Sequence, residues 1–219
     1  MVIRGQFETE LTQLKSEIIM LGTMVENAFD ETIKGIKNKQ YGKMEPIILN
    51  DEKINRLELD INERATLMIA KQQPVASDLR KIIVSLKVSS DLERMGDLTV
   101  DMAKAFKRMV DKEELGHFEK ELITIASKAK AMMKAVLVAY QEGNVLEAQK
   151  IASMDDEVDR AYGQFVQSIF KVVAVETGVT ESITQMAFIS RYIERIADYC
   201  TNIAEWIIYE VNGKRFDLN

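Results

Sequence analysis

The chain is poor in the residues that punctuate or cross-link a fold. It has one cysteine, Cys200, and one histidine, His117, in 219 residues. A single cysteine excludes an internal disulfide and fits a reducing compartment. With no second cysteine or histidine, Cys/His zinc sites and Ser–His or Cys–His catalysis lack their parts. Two prolines and ten glycines leave few breaks, which favours long helices over many short strands. The net charge is −6, the wrong sign for a surface that tracks a phosphate backbone, so nucleic acid is not an expected partner. No apolar run approaches a membrane span. The opening residues, MVIRGQFETE, hold none long enough for a secretory leader. Together these absences lead to the expectation of a cytoplasmic protein.

What is present is a core-forming composition, 47% hydrophobic and 29% charged, and a repeated acidic motif. Residues 91–104 read DLERMGDLTVDMAK and residues 192–205 read YIERIADYCTNIAE. At a constant spacing of 101 residues, Glu93 falls on Glu194, Arg94 on Arg195, Asp97 on Asp198 and Asp101 on Asn202. Earlier in each half, Asp51–Arg56 resembles Asp155–Arg160 at a spacing of 104. The second half is thus about three residues shorter between these segments, where the first half carries Gln72-Gln73-Pro74. The pattern reads as an internal duplication.

The spacing predicts six helices, three per half. They run from near Phe7 to Asn38, Met44 to Lys71, Pro74 (in the first turn) to Val110, Glu119 to Gln141, a start capped by Asn144 to Glu176, and a start capped by Thr180 to Asn212. Gly143 and Gly213 mark helix ends, and Gly178 breaks the chain. Val172 to Val175 is β-prone but continues the helical spacing of Val158, Phe165 and Ile169. Short connections make neighbouring helices antiparallel. The expected fold is all-α: two tandem three-helix bundles, residues 1–112 and 113–219, with a linker at 111–116.

On a helical wheel, Val88, Leu92, Met95, Met102 and Phe106 share one side of the third helix. Glu93, Asp97 and Asp101 fall opposite. In the sixth helix the apolar stripe is Ile189, Ile193, Ile196, Cys200, Ile203 and Ile207, and Glu194, Asp198 and Asn202 lie opposite. The second helix adds a polar ridge of Asp51, Asn55, Glu58 and Asn62 beside its apolar face. The fifth adds Asp155 and Asp159. If these helices are neighbours, acidic pairs converge twice, at an open site near the surface.

Like charges four residues apart cost a helix about 0.2–0.5 kcal/mol per pair. A single acidic ladder reads as a solvated face, with Arg94 or Arg195 pairing nearby acids. A duplicated one favours a shared ligand. Oxygen donors without histidine or cysteine suit hard ions such as Mg, Mn or Fe, with Zn also open. The candidate metal ligands are therefore Asp51, Asn55, Glu93, Asp97, Asp101, Asp155, Asp159, Glu194, Asp198 and Asn202. No catalytic residue is singled out.

Other residues read as structure. His117 is expected as a solvated linker residue and Cys200 as a buried thiol. Trp206 is expected beside the core, and Met20, Met24, Met132 and Met133 within it. Arg80 is expected to tie the start of the third helix to a neighbour.

The segment Gln72-Gln73-Pro74-Val75-Ala76-Ser77-Asp78-Leu79-Arg80, followed by Asp91-Leu92-Glu93-Arg94-Met95-Gly96-Asp97, closely resembles the first-half signature of the PhoU family of phosphate-uptake regulators. Ile193-Glu194-Arg195-Ile196-Ala197-Asp198 with Asn202-Ile203-Ala204-Glu205 resembles its second-half signature. The resemblance covers nearly the whole chain. It implies two tandem three-helix bundles and metal clusters bound by E(D)xxxD motifs, here Glu93–Asp97 and Glu194–Asp198 joined by Asp155–Asp159. In the first half the partner is Asp51–Asn55, an amide where a carboxylate is expected. The resemblance further implies a cytoplasmic, commonly dimeric, non-catalytic negative regulator. It would link the ATPase of the phosphate-specific transporter to a phosphate-sensing histidine kinase. Two other readings of the residues stand beside it. One is a carboxylate-bridged metalloenzyme, which lacks the usual Glu-x-x-His pairs. The other is a plain scaffold with vestigial acids.

Overall fold

In the computed structural model, the described residues are 2–109, 116–173 and 180–218. They form six long α-helices: α1 (Val2–Lys37), α2 (Met44–Gln72), α3 (Ala76–Arg108), α4 (Gly116–Glu142), α5 (Val145–Val173) and α6 (Thr180–Asn212). A short 3-10 turn at Tyr41–Lys43 joins α1 to α2. No strand occurs among the described residues. The linker expected at 111–116 falls, except for Gly116, outside the described residues. So do Ala174 and Val175 of the β-prone run, the expected end of α5 at Glu176, and Gly178.

Local signals set most helix ends. Pro46 sits in the first turn of α2, where its missing N–H would have had no acceptor. Asn144 caps α5, its Oδ1 accepting the Glu147 N–H at 3.2 Å. The reciprocal half of the expected capping box is absent, because Glu147 pairs with Lys150 at 2.6 Å instead. Gly143 and Gly213 adopt φ of +64° and +72°, the left-handed conformation that closes a helix at low cost to glycine.

Two expectations need correction. Pro74 does not enter α3. Gln73 ends α2 in the left-handed region, Val75 is extended, and α3 starts at Ala76. A left-handed stop at Gln73 and the extended Val75 reverse the chain before the next helix can begin. His117 is not in a linker but in the first turn of α4, where it reaches Glu121 at 2.8 Å, one turn on.

Within the first half α3 packs on α1 and α2; within the second, α6 packs on α4 and α5. The most extensive contact between any two helices is α3 against α6, and α1 also meets α4. Four helices thus form the middle of the molecule, with α2 and α5 on its flanks. One continuous apolar cluster runs through both halves, from Leu14, Phe29 and Phe106 to Phe165, Ile189 and Ile203. The two bundles share a core.

Helices α3 and α6 run antiparallel. Arg80 Nη1 donates to the Glu210 carbonyl at 3.3 Å, the Trp206 indole bonds Asp91, and Asp101 is felt by Tyr192. The expected tie at Arg80 is therefore made to α6. Asp97 and Asp198 lie near the middle of this crossing. Cys200, Met132 and Met133 are buried as expected, and Trp206 packs beside the core. Met20 is exposed instead; it turns away from the side of α1 that carries Leu14, Ile18 and Leu21.

Candidate metal centre

Helices α3 and α6 each contact three others, so little of their circumference reaches water. This corrects only part of the expectation that the acidic ridges face away from the core, since the Asp97 and Asp101 side chains stay 41% and 46% exposed. The ridges lie in the seams α2/α3 and α5/α6. Glu194 is buried, while Glu93 and Asp198 are half-buried. A helical wheel placed them opposite one apolar stripe but could not register that the helix has neighbours on several sides.

In the α5/α6 seam, carboxylate oxygens of Asp159, Glu194 and Asp198 all lie within 4.8 Å of one another. Asp159 is exposed and supplies the outer edge. Burial, then the charges of Asp198 and Asp159, push the Glu194 carboxyl up to about 7. Arg191 offsets part of this through a bond from Nη1 to Oε1. The other oxygen, Glu194 Oε2, is buried and has no hydrogen-bond partner. Asp198 is raised by burial and by Asp159, against the pull of Arg191 and Arg195.

Asp155 stands outside this group of three, buried at 3% exposure, and its charge is felt by the Cys200 thiol. Of the acidic pair expected on α5, the structure therefore brings only Asp159 to Glu194 and Asp198. Asn202 lies one turn beyond Asp198, half-buried.

The α2/α3 seam is built from the same positions with different chemistry. Asp51 Oδ2 accepts a bond from Asn55 Nδ2 at 3.2 Å, and the remaining oxygens, Asp51 Oδ1 and Asn55 Oδ1, are buried without partners. Burial raises Asp51, then Asp97 and, more weakly, Asp101. Burial also raises Glu93, followed by Asp97, Glu58 and Asp51. Arg94 bridges the ridge, reaching Asp97 at 3.1 Å and Glu93 at 3.5 Å. Asp101 turns to Lys104 at 3.7 Å.

Glu58 is a member of this cluster that the sequence reading left out of the site. It belongs to the Asp51–Asn55–Asn62 ridge, and the side chain of Asn62 donates to it. The signal that could have found it is its place one heptad beyond Asp51 on one face of α2. At the spacing of 104 its counterpart is Tyr162, so the repeat comparison hid it.

Both seams thus hold three or more carboxylates, and in each of them burial, then neighbouring acids, raises two groups, Asp51 and Glu93 in one and Glu194 and Asp198 in the other, with buried oxygens left unbonded. Such a donor set fits a hard cation, which would offset the repulsion and occupy the free oxygens.

The comparisons with known proteins agree with this architecture. The PhoU domain matches the chain twice, over residues 18–106 and 122–207. The chain is 36% identical to the phosphate-specific transport system accessory protein PhoU homolog of Clostridium acetobutylicum, over 99% of each chain. It is 32% identical to the phosphate-specific transport system accessory protein PhoU of Escherichia coli, over 98% of this chain and 88% of that one. Among solved structures, PhoU from Pseudomonas aeruginosa superposes with a TM-score of 0.91 at 28% identity, covering 95% of this chain and 100% of that one. The phosphate transport system regulatory protein PhoU from Streptococcus pneumoniae superposes with a TM-score of 0.89 at 28% identity, covering 96% and 99%. With the domain present in both halves and the helical repeat matching it, this chain belongs to the PhoU family.

Proposed function

We propose that this protein is a cytoplasmic, non-catalytic regulator of phosphate uptake. It acts as an adaptor between the ATPase of a phosphate transporter and a phosphate-sensing histidine kinase, and restrains the phosphate-starvation response. The observation that carries this reading is the full-length match to proteins named as accessories of phosphate-specific transport. Two further features support it. No described helix is long and apolar enough to cross a membrane, so contact with a transporter would run through its soluble parts. The two acidic seams offer oxygen donors suited to binding a cation. Deleting the gene should raise phosphate-starvation transcripts when phosphate is plentiful; unchanged transcripts would remove the regulatory reading.

Metal ions belong to the same proposal. Asp159, Glu194 and Asp198 would hold one site, and Asp51, Glu58, Glu93 and Asp97 the other, with Fe, Mn, Mg or Zn as candidates. A bound ion supplies positive charge, which neutralises the carboxylates and joins α2 to α3 and α5 to α6. In the protein's own side chains, Arg94 and Arg191 perform part of that neutralisation. Metal analysis and calorimetric titration of wild type against an Asp97→Ala/Asp198→Ala double variant test the site. Binding should be lost in the variant, and equal binding by both proteins would refute it. Chain association as a homodimer is measured by sedimentation of the same samples.

A further inference from the structure

A cavity of about 180 Å³ opens where the two halves meet, away from both acidic seams. Its walls come from four helices: Leu11, Thr12 and Lys15 from α1, Lys81 and Ser85 from α3, Tyr140 from α4 and Glu210 from α6. Ser85 and Tyr140 are buried, and the Tyr140 phenol is bonded to Ser85. The Lys15 ammonium lies 5.3 Å over the Tyr140 ring. Glu210 is half-buried.

The charges around this space are arranged but not closed. Lys15 and Lys81 both act on Glu210 through space, yet neither forms an ion pair with it among the described residues. The ion pair that Lys81 does form is with Asp78, at 3.6 Å on the solvent side of α3. Two flexible ammonium groups beside a partly buried carboxylate would ordinarily collapse onto it. Here they border a space instead. The arrangement is also not a relic of duplication. At the spacing of 101, Lys81 corresponds to Ser182, Ser85 to Met186 and Glu210 to Met109. Only one end of the molecule carries these groups.

We propose that the cavity binds a small tetrahedral oxoanion that still carries a proton, the class of monohydrogen phosphate. Its oxygens would accept from the Lys15 and Lys81 ammonium groups, since the hydroxyls of Thr12 and Ser85 already donate to the Glu8 and Lys81 carbonyls. Its P–OH would donate to the Glu210 carboxylate. An oxoanion of the same size without a proton, such as sulfate, meets that carboxylate with a lone pair and is repelled. Glu210 is thus the selecting residue, and the lysines supply affinity. The ligand would bridge α1 and α3 of one half to α6 of the other. Its occupancy would therefore bear on how the halves sit together. The proposal stands on this cavity alone and needs no metal in either seam.

The test is calorimetric titration of the full chain with inorganic phosphate and with sulfate near neutral pH, with a chelator present to exclude metal-bridged phosphate. Phosphate should bind at one site per chain and sulfate at least about tenfold more weakly. Lys81→Met, at an exposed position, should weaken phosphate about tenfold or more without changing the circular dichroism. Glu210→Gln should admit sulfate and narrow the difference between the two anions, because a neutral amide donates where the carboxylate repelled. The proposal is overturned if phosphate gives no binding at millimolar concentration. It is equally overturned if wild type binds the two anions alike, or if Lys81→Met leaves phosphate affinity unchanged. Metal titrations of the seams read a separate property, so failure of one leaves the other standing.

Discussion

The α2/α3 and α5/α6 seams descend from one pattern, yet they solve the repulsion of clustered acids differently. In the second half three carboxylates meet within 4.8 Å, and Glu194 is forced up to about 7. In the first half an amide, Asn55, stands where Asp159 stands in the second, and it donates to Asp51. Arg94 spans Glu93 and Asp97, and Glu58 adds a carboxylate that the other half lacks. One seam concentrates negative charge; the other spreads and partly satisfies it. Duplicated positions therefore do not imply duplicated affinity.

The largest expected effect tests whether the two halves are separate units at all. Phe106, stacked on Tyr41 at 4.3 Å, and Phe165, edge-on to Phe118, are both fully buried. Phe106→Ala and Phe165→Ala should each cost about 3–5 kcal/mol. Because the core is continuous, each should lower one shared unfolding transition. Two separate transitions, with only one displaced, would show that the halves unfold independently.

The next effect concerns the metal. Asp198→Ala should weaken the tighter of two binding events about 100-fold, and Asp97→Ala should weaken the looser one. Titration of each single variant gives the assignment; the opposite pattern would reverse the ranking of the seams. Exchanging the differing residue is a milder change. Asn55→Asp should strengthen the first site about tenfold, and Asp159→Asn should weaken the second by a similar factor. If neither substitution moves its site, the amide is not what separates the two halves.

The smallest expected effect is on pH dependence without metal. In the folded chain Glu194 holds its proton up to about 7, against an ordinary value of 4.5. The folded state thus binds more protons than the unfolded state between these values. Stability should rise as pH falls from about 7 towards 4.5 and decline as pH rises through that window. Thermal unfolding in chelator should show a shift on the order of 2–4 °C, and Glu194→Gln should flatten it. Glu93→Gln should flatten it less, since Arg94 shields that carboxylate. A profile unchanged by Glu194→Gln would mean that the second seam is not the strained one.

The helices were legible in the residues because their determinants are local. The start of α2 at Met44, the Asn144 cap and the stops at Gly143 and Gly213 each depend on one turn of chain. The identity of Asp159, Glu194 and Asp198 as partners was legible too, since a repeat of acids at helical spacing has no packing reason to persist. Less legible was anything that required knowing a helix's neighbours. Pro74 looked like a first-turn residue because proline suits that place, but it lies in the reversal between α2 and α3, between the left-handed Gln73 and the extended Val75. Glu58 has no counterpart in the repeat, where Tyr162 stands, and its approach to Glu93 depends on how α2 packs against α3.

Residue order by itself determined an all-helical duplicated chain with two acidic ladders, because spacing, caps and breaks act over a few residues. Tertiary structure alone decided where those ladders point. With α3 and α6 each enclosed by three helices, the acids were drawn from solvent into seams, and burial there turned a mild repulsion into raised pKa values and unbonded oxygens. The same packing brought Lys15, Lys81 and Glu210 around one cavity from positions far apart in the chain. No local pattern marks such a meeting, because it depends on how four helices from two halves converge.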